Sequence, residues 1–115
     1  LSPRLQEGVK LYTYSTEKGD FHAENIRIGG RYKKHLKKIS KRNIDDVKKI
    51  NDVVNTLQRG EKLAERFKDH ALIGNFIGHR KCHITPDLLL IYKIEENILI
   101  LELVDTGSHA DLFGL

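Results

Sequence analysis

The hydrophobic pattern of this chain changes period once, and that change restricts its fold more than any other feature. Tyr32, Leu36 and Ile39 recur at helical spacing, with Lys and Arg on the remaining faces. After a break near residues 40–43, Ile44, Val47, Ile50, Val54 and Leu57 keep one helical face apolar until Gly60. Asn43 suits an N-cap, and Asp45 and Asp46 put carboxylates in the first turn, where the helix dipole favours them. From about Leu72 the spacing becomes strand-like. Residues 74–77, 79–85, 88–94 and 98–104 read as β segments, with turns at Thr85-Pro86 and Glu95-Glu96-Asn97. One more short strand, residues 25–28, precedes the helices and ends at Gly29-Gly30.

Two amphipathic helices joined by a short link form a hairpin whose apolar side must be buried, and the strands supply the surface. Strands linked this tightly run antiparallel. Segments 88–94 and 98–104 are apolar on both faces and belong in the sheet centre. The expected fold is therefore α+β: an antiparallel sheet of four to five strands with a two-helix hairpin packed on one face. A length of 115 residues suits one domain. That domain is read as residues 25–115. Residues 1–24, with strand-like alternation at 9–14 and a turn at 18–20, are read as an extension outside it. The apolar runs are strand-sized, well short of the roughly 20 residues a spanning helix needs. With no signal-peptide pattern and a single cysteine, Cys82, a cytoplasmic protein with no membrane partner is expected.

Lys and Arg outnumber Asp and Glu by 20 to 16, and the excess is concentrated: residues 31–42 hold seven cations and no acid. Lys33, Lys34, Lys37, Lys38, Lys41 and Arg42 form a basic patch suited to a polyanion, either nucleic acid or an acidic protein. A solvated helix face explains the same charge equally well.

Four of the six histidines, His70, His79, His83 and His109, fall in the β-rich half, among Asp69, Arg80, Lys81, Asp87, Asp105 and Asp111. Zinc is a poor reading. On a strand His79 and His83 share a face while Cys82 points away, no second cysteine exists, and Arg80 and Lys81 repel a cation. The same alternation turns Cys82 toward the core and away from nucleophilic use. His83 and Asp87 can approach across the Pro86 turn, His109 follows the last strand, and His70 precedes the meander. Proton-transfer groups at strand ends beside a basic helix suit RNA cleavage. RNA carries its own nucleophile, so the protein need only move two protons and offset charge on phosphorus, without metal or cofactor.

Five motifs follow one another here: K-D-H at 68–70, L-x-G-x-F-x-G at 72–78, H-x-x-P-D at 83–87, L-I-Y-K at 90–93 and T-G-S-H-x-x-L-F at 106–113. As an ordered set they resemble the YafQ branch of the RelE superfamily of toxins, over about residues 25–115. The resemblance implies a RelE-like microbial RNase fold and a toxin of a type II toxin-antitoxin system. It implies a ribosome-dependent endoribonuclease that cuts mRNA in the A site and so inhibits translation, leaving a 2′,3′-cyclic phosphate and a 5′-hydroxyl. The implied partners are a cognate antitoxin, the 30S subunit with its 16S rRNA, and mRNA.

Carried over by motif, His70, His83, Asp87 and His109 form the catalytic set. His109 is the general acid, and His83 and Asp87, assisted by His70, activate the 2′-hydroxyl. Phe113 would position the substrate by stacking on a base. Arg80 and Lys81, outside the carried-over set, are read as substrate-binding cations that would stand in for the basic residue that the family pattern puts at Asp105. Two positions depart from the family pattern. Asp105 stands where a basic residue is common, and Leu88 where an aromatic is common. Asp105 therefore keeps open a second reading, a catalytically weakened RelE-fold protein that mainly binds its antitoxin. A small DNA-binding module would explain the basic helix but not the histidine-rich end.

Overall fold

The computed structural model describes residues 23–114. The expected extension at 1–24 lies outside the described residues except for its last two, and Ala23 is already buried and donates its N–H to the Gln58 carbonyl. Strand β1 (Asn25–Ile28) leads into α1 (Gly30–Arg42) and α2 (Ile44–Gln58). Four strands follow: β2 (His70–Ala71), β3 (Arg80–Thr85), β4 (Leu88–Glu95) and β5 (Ile100–Gly107). A short helix, α3 (His109–Phe113), completes the described chain.

The helical hairpin forms as its sequence dictates. The Asn43 side chain accepts the Asp45 N–H at 3.0 Å, which satisfies one of the donors that a helix start leaves unpaired. Tyr32 and Ile39 from α1 join Ile50, Val53, Val54 and Leu57 from α2 in one core against Cys82, Leu90, Tyr92, Leu101 and Leu103 of the sheet. Ile44, counted on the apolar face, is instead exposed.

The sheet order is β1-β5-β4-β3-β2. β2 to β5 form the expected antiparallel meander, but β1 runs parallel to β5, so the sheet is mixed. Tight turns dictate direction only between strands that they join. β1 meets a partner 75 positions away, Asn25 against Ile100, so no turn constrains its direction.

Residues 74–77 are not a strand. Gly74–Phe76 makes a single 3-10 turn, begun by Gly74 at φ +68°, a left-handed conformation open mainly to glycine. The edge strand is His70–Ala71 instead. At the other end β5 starts two residues later than expected, because Leu99 is left-handed (φ 54°), and it continues through Gly107. β4 is apolar on both sides for a reason the helices alone do not supply. Leu89 and Ile91 pack on the second sheet face against Leu112 of α3, with Leu72, Phe76, Val104 and Phe113 around them. No described helix is long and apolar enough to cross a membrane.

Candidate active site

The second face of the sheet collects most of the expected site. Residues directly opposite on neighbouring strands share a face. Lys81 pairs with His70 on β2 and Ile91 on β4, and His83 pairs with Leu89. His70, Lys81 and His83 thus stand on the side away from α1 and α2. Cys82, one residue out of phase, is fully buried among the helix-side core, and burial pushes its thiol up to about 12. A buried thiol held in that state is a poor nucleophile at neutral pH.

α3 closes over the same face. Its start is fixed by a reciprocal cap: Ser108 Oγ accepts the Asp111 N–H, and the Asp111 carboxylate accepts the Ser108 N–H, both at 3.1 Å. Gly107 makes this turn possible. Its φ is +143°, and a Cβ there would stand 2.7 Å from the Asp111 carboxylate. With the helix so placed, the His109 ring lies 6.3 Å from that of His83 and 6.1 Å from that of Phe113. The Lys81 ammonium sits 5.5 Å from the centre of the Phe113 ring, and Phe76 meets that ring edge-on at 6.1 Å.

Electrostatics define the group as well as distance does. The pKa of His83 is lowered, first by partial burial, then by the charges of Lys81, Lys68, His109 and His70. The neutral imidazole, able to accept a proton, is therefore favoured. His70 is exposed, and its Nδ1 donates to the Lys68 carbonyl at 2.8 Å. A carbonyl can only accept, so Nδ1 carries the proton and Nε2 of the neutral ring is left as an acceptor.

Two expected residues, and the departure at Asp105, stand apart. Asp87 lies exposed in the β3–β4 turn, has no side-chain partner among the described residues, and is not hydrogen-bonded to His83. Arg80 is out of phase with Lys81 and turns away from the group. Its guanidinium binds the Asp69 carboxylate, 3.2 Å from Nε and Nη2 to Oδ2, and Tyr92 donates its hydroxyl to the same carboxylate at 2.6 Å. Asp105 is the third. It is almost fully buried, its carboxylate engaged by Arg31 Nε at 2.8 Å and His35 Nδ1 at 2.6 Å. It is therefore no bare negative charge facing a substrate.

Sequence reasoning overlooked Lys68, Phe76, Arg31 and His35. Lys68 and Phe76 lie inside motifs whose histidine and glycines drew the attention. Arg31 and His35 looked like two more members of a basic stripe. The stripe itself is exposed at Lys33, Lys34, Lys37, Lys38, Lys41 and Arg42, and Lys38 also pairs with Asp111 at 3.0 Å. Among the described residues no three His, Cys, Asp or Glu side chains gather in a way that could hold a metal ion.

Comparison with known proteins adds an independent line. A family model described as the bacterial toxin of type II toxin-antitoxin system, YafQ, matches residues 24–114. The mRNA interferase toxin YafQ of Escherichia coli (strain K12) is 37% identical over 91 residues, spanning 78% of this chain and 96% of that protein. The solved structure of the E. coli DinJ-YafQ toxin-antitoxin complex contains a chain that matches with a TM-score of 0.69 and 37% identity, over 77% of this chain and 96% of that one. A 29-residue stretch, 25% of this chain, is also 83% identical to part of the UDP-N-acetylmuramate--L-alanine ligase of Phocaeicola vulgatus. It spans only 6% of that enzyme, too little to carry its activity.

Proposed function

The chain belongs to the YafQ family of bacterial type II toxin-antitoxin toxins, and on that premise we propose that it is an mRNA-cleaving endoribonuclease that works in the ribosomal A site. The observation that carries the proposal is the pairing of His83 and His109, rings 6.3 Å apart, beside Lys81 and Phe113 on one sheet face. A phosphodiester seated between the two imidazoles meets both proton-transfer groups that the reaction requires. Neutral His83 takes the 2′-hydroxyl proton, and O2′ attacks phosphorus. The P–O5′ bond breaks as His109 delivers a proton to O5′. A 2′,3′-cyclic phosphate and a 5′-hydroxyl result, with atoms and charge in balance and no metal ion needed.

Lys81, helped by Lys68, offsets the negative charge that grows on the phosphorane oxygens. Phe113, braced by Phe76, receives a base. His70 acts as a secondary acceptor through Nε2. Asp87, at the turn, contributes less than either facing histidine. Arg80 acts indirectly, by anchoring Asp69 within the 68–70 segment.

The exposed cations of α1 suit two polyanions in turn. Ribosomal RNA is bound during activity, and an acidic segment of a cognate antitoxin during repression, both in the cytoplasm. The weakened-catalyst reading loses its motive, because Asp105 is neutralised within the fold and Lys81 supplies a cation on the catalytic face.

The test is cleavage of a defined message on purified ribosomes. His109→Ala and His83→Gln should each slow cutting by about 10² or more, the usual contribution of a positioned acid or base. Asp87→Asn should slow it less. If the unaltered protein leaves the message intact at high concentration, or His109→Ala cuts at the original rate, the proposal fails.

A further inference from the structure

A channel runs along α2, on the helix side of the sheet. One wall is a single helical stripe carrying Lys49 and Asp52. The other is the segment after α2, with Lys62, Arg66 and Phe67, and the end of β3 closes the floor with Ile84 and Thr85. This cleft encloses about 500 Å³. A second cleft of about 420 Å³, which contains Lys68 and His83, shares Arg66, Ile84 and Thr85 with the first. The two clefts therefore adjoin at the end of β3, one running along α2 on the helix side of the sheet and the other reaching the histidine that faces His109.

Their chemistry is biased one way. Lys49, Lys62, Arg66 and Lys68 line the two clefts with Asp52 as the one acid, and among the described residues no ion pair engages any of the four cations. The Arg66 guanidinium lies over the Phe67 ring, 4.2 Å from its centre. A stacked guanidinium and aromatic ring present the kind of flat, cationic surface on which unpaired bases rest. A merely solvated patch needs neither that stack nor a boundary shared with the cleft that contains His83.

We infer that this channel holds the substrate strand where it leaves the catalytic centre. Single-stranded RNA lies with its phosphates on Lys49, Lys62 and Arg66 and a base against the Arg66–Phe67 pair. The inference rests on the ribonuclease reading for the position of the scissile phosphate. An acidic polypeptide would find the same cations, but nothing in its chemistry requires the channel to adjoin the cleft that contains His83.

The experiment compares binding of fluorescein-labelled single-stranded RNAs of three and ten nucleotides by the full chain carrying His109→Ala, so that the RNA stays intact. The ten-nucleotide RNA should bind more tightly. Adding Lys49→Ala, Lys62→Ala and Arg66→Ala together should weaken it by at least about tenfold, leave the short RNA unchanged, and flatten the log–log salt dependence by about 2, at roughly 0.7 per lost phosphate contact. Asp52→Asn should tighten the longer RNA.

The inference is overturned if the triple variant, shown folded by circular dichroism, keeps the advantage of the longer RNA. It is also overturned if the variant loses affinity for a polyglutamate peptide in place of RNA, or loses as much affinity for message-free ribosomes as for programmed ones. Those outcomes assign the channel to an acidic partner or to ribosomal RNA. Cleavage by the protein with its channel intact tests the ribonuclease reading separately, so the two failures are distinguishable.

Discussion

Arg31 binds Asp105 and the last helix at once: its Nε lies 2.8 Å from Asp105 Oδ2, and its Nη2 reaches the Asp111 and Leu112 carbonyls at 3.1 and 3.2 Å. Those carbonyls belong to the end of α3, where no further helical turn can satisfy them. One guanidinium therefore couples the basic helix, the end of β5 and the helix that carries His109 and Phe113. His35 completes the support by engaging the other Asp105 oxygen at 2.6 Å.

Asp105→Ala should lower stability by about 1–3 kcal/mol, since it strands His35 and frees an arginine that is itself largely exposed. Asp105→Arg should cost more, because it puts a cation beside the Arg31 guanidinium and the His35 ring in a buried position. Urea unfolding of the three proteins checks the order. Equal stability of Asp105→Arg and the unaltered chain would show that the latch is unimportant.

Lys81 should set the acid side of the pH–rate profile. The His83 pKa lies below the ordinary histidine value of about 6.5, and the Lys81 charge is the largest cause after burial. A base with a lowered pKa stays neutral further into acid, so the rate of cleavage by the unaltered protein should reach half its maximum at a pH below about 6.5. Lys81→Gln removes a charge that holds the value down, so its acid limb should move to higher pH while the maximal rate falls. Single-turnover cleavage measured between pH 5 and 8 gives both quantities. A limb that does not move would exclude Lys81 as a neighbour of the working base.

Much of this was legible in the sequence, for reasons that also mark the limits. Periodicity located both helices, the Asn43 cap and the central strands, because amphipathic spacing and turn residues act locally. The parallel β1–β5 pair and the Arg31–Asp105 latch join residues more than 70 positions apart, and no local pattern encodes them. Strand alternation correctly separated Cys82 from His83. Applied to the next pair, the same rule separates Lys81 from Arg80, which had been joined as substrate-binding cations. The sequence set Asp105 against a family position, whereas its partners Arg31 and His35 lie on α1, 70 or more positions away.

Tyr92→Phe should separate structure from catalysis on the β3 surface. The Tyr92 hydroxyl donates to Asp69 Oδ1 at 2.6 Å inside a mostly buried setting, and Arg80 holds the same carboxylate. A hydrogen bond to a charged group contributes about 1.5–3 kcal/mol, and deleting the hydroxyl leaves Asp69 with Arg80 alone. Thermal unfolding should show that loss, while cleavage per folded molecule changes less than fivefold, far below the effect of His109→Ala. If Tyr92→Phe and His109→Ala reduced cleavage alike, the Asp69 cluster would belong to the reactive centre.

Asp111 should make the seating of α3 sensitive to acid. Its pKa is held down at about 2, first by the Ser108 backbone N–H and further by Lys38. The folded value lies below the ordinary value of about 3.9, so the native state favours the ionised form. The resulting stabilisation is complete above pH 4 and is lost as pH falls toward about 2. Asp111→Ala should therefore lower the Tm at pH 7, and the difference from the unaltered protein should shrink steadily below pH 4. It should also cost activity at neutral pH, because the cap at Ser108 and the Lys38 contact hold the helix that presents His109. Tm values that differ equally at pH 7 and pH 2 would show that the side chain acts through packing, and the ionised cap would then not be what seats the catalytic helix.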